Sequence, residues 1–85
     1  MNPGYTKIFQ YEPFEFGFFN HSNKIEVIAI QHDTNQCRTL GYCLKTEEAE
    51  SLLETCIKYG FNKIGMRFEG IPGFKVESIE GNNIV

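Results

Sequence analysis

The spacing of apolar residues in the segment TEEAESLLETCIKYG, residues 46–60, predicts an amphipathic helix. Its apolar residues recur at the three- and four-residue spacing that places them on one side of a helix: Ala49, Leu52, Leu53, Cys56 and Ile57. The hydroxyl of Thr46 is expected to cap the N-terminus, and Gly60 to end the helix. The opposite side would be acidic, with Glu47, Glu48, Glu50 and Glu54.

Alternating apolar and polar residues predict β-strands on both sides of this helix. Before it, strands are expected at residues 5–11, 14–19, 24–33 and 37–45, and after it at 63–69 and 74–80. The predicted fold is a two-layer α+β domain of order ββββαββ, with a mostly antiparallel, curved sheet packed on a single helix (46–59). The whole chain, 1–85, would form this one small domain. If strands 37–45 and 63–69 are parallel neighbours, they and the helix form a right-handed crossover.

Four-residue loops at 20–23 and 33–36 would fix the register of the second, third and fourth predicted strands. Phe18 and Leu44 are then both expected opposite Ile25. The helix-facing side of the sheet would be apolar throughout, with Phe14, Phe16, Phe18, Val27, Ala29, Leu40 and Tyr42. Because six strands are too wide for one helix to cover, either the sheet curls or a second subunit covers the remainder, which would make a homodimer.

Basic residues are predicted to project from the sheet face opposite the helix. This set comprises Lys24, Lys45, Lys63, Arg67 and Lys75. Across the last predicted hairpin, Arg67 would face Lys75, and two facing cations are unfavourable unless an anion lies between them. The pattern therefore predicts a contact surface for phosphates or acidic side chains. The alternative is an ordinary solvated sheet face, since glutamates are interspersed among these residues.

A second candidate contact surface is apolar. The same register places Phe19, Ile28 and Ile30 on the outer face, where an apolar patch indicates a protein partner or self-association. The alternative is that the N-terminal strand folds over this patch.

Few residues in the sequence form a pattern typical of a catalytic or metal site. Cys37 and His32 flank one turn, and a Cys–His pair is typical of a nucleophile or half a metal site, but no third member is visible. Phosphate-binding loops and the GxSxG and HExxH motifs are absent. We therefore expect no enzymatic activity, no metal and no cofactor. The three cysteines lack CxxC spacing, and the sequence has neither a signal-peptide pattern nor an apolar run of membrane-spanning length. We therefore expect a reduced, cytoplasmic protein with free thiols.

Charge and composition complete the sequence-based prediction. A net charge of −3 argues against binding nucleic acid by bulk charge alone. Residues with AT-rich codons outnumber those with GC-rich codons, which indicates a low-GC genome such as that of a bacterium or phage. We expect a non-enzymatic module, a small phage or bacterial accessory protein that binds RNA or neutralises a nucleic-acid-handling host factor through the basic face. The alternative is a protein–protein adaptor or inhibitor that uses the apolar patch without nucleic acid; a Cys/His enzyme is third.

Overall fold

The computed structural model describes residues 4–76 and contains two antiparallel sheets and one helix. The larger sheet has the order β1 (Tyr5–Tyr11), β2 (Phe14–Asn20), β3 (Ile25–Gln31) and β4 (Gln36–Cys43). Helix α1 (Thr46–Tyr59) follows, and then a hairpin of β5 (Phe61–Lys63) and β6 (Met66–Phe68). This confirms the α+β class, the order of strands, helix and strands, and the helix bounds.

The core lies between the four-stranded sheet and the layer formed by α1 and the β5–β6 hairpin. Ala49, Leu53 and Ile57 of α1 are fully buried, as the predicted apolar stripe requires. The hairpin covers the first residues of β2, where the Phe68 ring packs against Phe14 and Phe16 with centroids 5.2 Å apart in both pairs. The helix and the hairpin therefore share one side of the sheet.

The predicted strand 63–69 is wrong in its extent and in its pairing. It is broken at Gly65, whose φ of +79° is the left-handed conformation that glycine favours in a tight turn. Lys63 therefore pairs with Met66 in an antiparallel hairpin, and no parallel crossover with β4 forms. Arg67 lies opposite Asn62 rather than Lys75. Of the predicted strand 74–80, residues 74–76 are not in a strand and 77–80 lie outside the described residues.

The register within the larger sheet differs from the prediction in two ways. Phe18 pairs with Val27 rather than Ile25, a two-residue shift that keeps every β2 side chain on its predicted face. In β4, a bulge lies between the pairs Val27–Gly41 and Ile28–Thr39. Because a bulge adds one residue, the side chains beyond it change faces, so Cys43 is buried and Tyr42 points outward. The predicted inward position of Tyr42 is therefore wrong.

The ends of α1 agree with the prediction in part. Gly60 has φ +91° and its N–H donates to the Cys56 carbonyl over 2.8 Å, which ends the helix as expected. At the other end, Lys45 is the N-cap residue and no side chain caps it, so the predicted Thr46 cap is wrong. Instead, Glu48 Oε1 accepts a hydrogen bond from the Leu44 N–H over 2.9 Å and ties the helix to the end of β4.

Candidate interaction surfaces

The outer face is the side of the four-stranded sheet opposite α1. Strand register and side-chain alternation arrange it in three rows across β1 to β4. These rows are Tyr5–Phe19–Glu26–Tyr42, Lys7–Gly17–Ile28–Thr39 and Gln10–Glu15–Ile30–Cys37. Because α1 and the hairpin pack on the other side, this face is where a partner could meet the sheet.

Two carboxylates within the outer face are each held by a hydroxyl and an imidazole. Glu15 accepts from the Tyr5 hydroxyl over 2.8 Å and lies 2.9 Å from His32 Nε2. Glu26 accepts from the Thr39 hydroxyl and lies 2.9 Å from His21 Nε2. The Thr39 and His21 contacts lower the pKa of Glu26, while burial, then the bond to Glu15, raises the pKa of Tyr5. The Glu26 carboxylate therefore keeps its negative charge on this face.

The predicted apolar patch is only partly accessible. Ile28 is 2% exposed, so its expected role as an exposed contact residue is wrong. It lies beside Gly17, and the Tyr5 ring occupies the space where a Gly17 side chain would be. Phe19 and Ile30 are half-buried, and the Phe19 ring lies 5.2 Å from that of Tyr5. The alternative that the N-terminal strand covers the patch thus holds for Ile28.

Tyr42 is the large exposed ring on this face, and sequence reasoning placed it inside. Its side chain is 58% exposed, and the Lys24 ammonium lies 4.5 Å from its ring centroid, in cation–π contact. Gly41 was the available signal, since an isolated glycine within a strand pattern often marks a bulge.

The five predicted basic residues do not gather on the outer face, and that expectation is wrong. Lys24 lies at its edge and Lys45 at the start of α1, both exposed. Lys63 and Arg67 belong to the β5–β6 hairpin, on the helix side of the sheet, and Lys75 follows that hairpin. Arg67 Nε pairs with Glu69 Oε2 over 3.0 Å. Whether any of these cations contacts an anionic partner stays a prediction.

The structure does not assemble the Cys37–His32 pair. His32 instead lies between two carboxylates, with Nε2 2.9 Å from Glu15 and Nδ1 3.6 Å from Glu12. Burial, then the nearby Glu26 charge, raises the pKa of Cys37, which disfavours the reactive thiolate. Within residues 4–76, no group of three or more His, Cys, Asp or Glu side chains could hold a metal ion.

Two of the concavities formed by residues 4–76 lie on the helix side of the sheet. A groove of about 470 Å³ runs beside α1 and is lined by Glu47, Glu48, Ser51, Leu52 and Thr55. A cleft of about 260 Å³ separates the β1–β2 turn from β6, with Tyr11, Phe14 and Phe68 among its walls. The charged groups at this cleft are already paired, Arg67 with Glu69 and Glu12 with His32. Of these two concavities, the groove has a carboxylate without an ion pair, because Glu47 makes none within the described part of the chain.

Comparison with protein-family models, curated proteins and solved structures found no match. Among residues 4–76, no helix has the length and apolar character that crossing a bilayer requires. A proposal for function therefore depends on the geometry of the surfaces described above.

Proposed function

We propose that this chain is a non-enzymatic protein-binding module whose partner docks on the Tyr42 patch. This patch comprises Phe19, His21, Lys24 and Tyr42, at one end of the outer face. The observation that supports it is the exposed Tyr42 ring with the Lys24 ammonium against it. Tyrosine is enriched among the residues that dominate binding energy, since it offers a rigid apolar ring with a polar tip.

The charge of the outer face favours a protein over a nucleic acid as the partner. Glu15 and Glu26 lie within this face, and the contacts of Glu26 keep its pKa low. Two carboxylates repel a phosphate backbone, whereas a protein partner can place donors or cations opposite them. Two other predicted cations, Lys63 and Arg67, lie in the hairpin on the opposite side of the sheet. These charges favour an adaptor or inhibitor over an RNA-binding module, acting through the Tyr42 patch rather than through the predicted patch of Phe19, Ile28 and Ile30.

RNA is the second candidate, and one local observation favours it. The exposed Lys24 lies against the exposed Tyr42 ring, and single-stranded RNA is recognised by cations together with rings that stack on bases. In either case the module would act by occupying a surface of its partner. A small phage or bacterial accessory protein that neutralises a host factor would work in this way.

The test compares two tyrosines in similar surroundings. Tyr59 is 71% exposed at the end of α1, and the Lys58 ammonium lies 5.4 Å from its ring centroid. Tyr59→Ala is therefore a matched control for Tyr42→Ala. Each tagged protein is purified from its host cells after circular dichroism has shown that it is folded. Co-purifying proteins are recorded together with nucleic-acid absorbance.

We expect Tyr42→Ala to weaken capture of a protein partner by about 2 kcal/mol, the size of a hot-spot truncation, and Tyr59→Ala to leave capture unchanged. Equal capture by both variants would refute the proposal. Capture of nucleic acid, lost steeply as salt rises and dependent on Lys24, would favour the second candidate.

A further inference from the structure

The β4 side of the molecule carries an acidic, partly apolar groove at one end of the strand. Helix α1 runs close beneath β4, so that a side chain at Gly41 would come within 2.8 Å of Leu52 Cδ2. β4 is an edge strand, and on the helix side beside it one face of α1 carries the open groove of about 470 Å³, which is lined by residues of α1 alone. Leu52 supplies its apolar surface, and Glu47 and Glu48 supply its charge.

The other end of β4 carries a protrusion of the opposite chemistry. This is the tip of the β5–β6 hairpin, residues 63–67, in which Ile64 is 87% exposed and flanked by Lys63 and Arg67. Arg38 of β4 holds the tip in place, because its Nε donates to the Ile64 carbonyl over 2.9 Å. The Gln36 side chain also lies against Gly65. An exposed isoleucine between two cations therefore stands at a defined place beside β4.

We infer that the hairpin tip of one copy of this chain docks into the groove of a second copy, forming a two-fold homodimer across the β4 edge. Ile64 would cover Leu52, while the Lys63 ammonium would approach Glu47 and Glu48. Because tip and groove lie at opposite ends of β4, a two-fold axis near the middle of the strand forms both contacts at once. This surface is separate from the Tyr42 patch, so the inference goes beyond the proposed function.

The bulge in β4 decides which kind of contact is available at this edge. A regular edge strand invites a continuous ladder with a second chain, and a bulge interrupts such pairing. The bulge at Leu40 lies in the middle of β4, where the two-fold axis would pass. The contact is therefore made by side chains at the two ends, and its charged part weakens as salt rises.

The test is a charge exchange, read by sedimentation equilibrium over a wide range of protein concentrations. The wild type is expected to form a dimer. Glu47→Lys and Lys63→Glu are each expected to weaken it by at least about tenfold, because each sets like charges against one another. The double variant, which exchanges the two charges, is expected to restore it to within about threefold of the wild type.

Two controls separate this contact from a general effect of net charge and from a loss of folding. Glu54→Lys changes the net charge as Glu47→Lys does, but Glu54 does not line the groove, so this variant should still dimerise. Ile64→Ser removes the apolar part of the tip at an exposed position, where it should leave the fold intact and weaken the dimer. A monomeric wild type would overturn the inference. So would a dimer indifferent to Lys63→Glu and Ile64→Ser, or a failure of the charge exchange to restore association.

Discussion

Replacing Gly17 by alanine tests how closely β1 and β2 approach at the centre of the outer face. An ideal Cβ at Gly17 would lie 2.7 Å from the Tyr5 hydroxyl oxygen and nearer still to the carbonyl oxygen of Thr6. The Tyr5 side chain can rotate away, but the Thr6 carbonyl belongs to the backbone of β1. Relief therefore requires β1 to move away from β2, which weakens the hydrogen bonds between these strands.

The expected cost is the balance of three effects. Overpacking costs roughly 1–3 kcal/mol, and each backbone hydrogen bond lost adds about 1 kcal/mol. Alanine restricts the unfolded chain more than glycine does, which raises the free energy of unfolding by roughly 0.5–1 kcal/mol. Gly17→Ala should therefore lower the free energy of unfolding by about 2–3 kcal/mol, a large share of the total stability of so small a domain.

Gly41→Ala is the matched control, since it makes the same chemical change two strands away. A Cβ at Gly41 would meet only the far end of a side chain, Leu52 Cδ2 at 2.8 Å, and a terminal methyl can shift. We expect a change of less than about 1 kcal/mol. Urea unfolding followed by far-ultraviolet circular dichroism measures both variants, and the slope of each transition shows whether two-state unfolding is kept.

A third variant identifies which atom resists the added methyl group. If the Tyr5 hydroxyl were the main obstacle, Gly17→Ala would cost nothing in a Tyr5→Ala background. Because the Thr6 carbonyl remains there, we expect most of the cost to persist. Equal stability of Gly17→Ala and Gly41→Ala, with unchanged slopes, would refute the proposed strand geometry.

Three further predictions concern acid stability, thiol reactivity and the core. The folded-state pKa of Glu26 is below its ordinary value of 4.5, so the stability that Glu26 contributes is present above that value and lost as pH falls through the folded pKa. In Glu26→Gln, the free energy of unfolding measured with urea should therefore fall less steeply at acidic pH. Burial raises the pKa of Cys37, Cys43 and Cys56, so native labelling with a disulfide reagent at neutral pH should be slower than that of free cysteine, with the exposed Cys37 first; a rapid burst at one thiol would contradict this. Leu53→Ala should cost about 2–5 kcal/mol by opening a cavity beneath the sheet, whereas Leu44→Ala should cost little, and similar calorimetric melting temperatures for the two would count against the described core.

Local pattern in the sequence was enough to predict the elements and the layer order. The apolar stripe of α1 and the alternation of Phe14, Phe16 and Phe18 each follow from the geometry of a single element. Because side chains alternate with a period of two, even the shifted β2–β3 register left these phenylalanines in the core. Local periodicity thus determined which side of α1 and which side of β2 face the core.

Only the tertiary structure decided which side chains the surfaces present. A single extra residue at the β4 bulge turned Tyr42 outward, and the turn at Gly65 folded a predicted sheet strand into a hairpin against Phe14 and Phe16. Lys63 and Arg67 thereby left the outer face, while Tyr5 closed over Gly17 beside Ile28. Bulges and tight turns change which way every later side chain points, and their position depends on long-range packing that periodicity does not record. The surfaces available to a partner were therefore set by how the elements pack together.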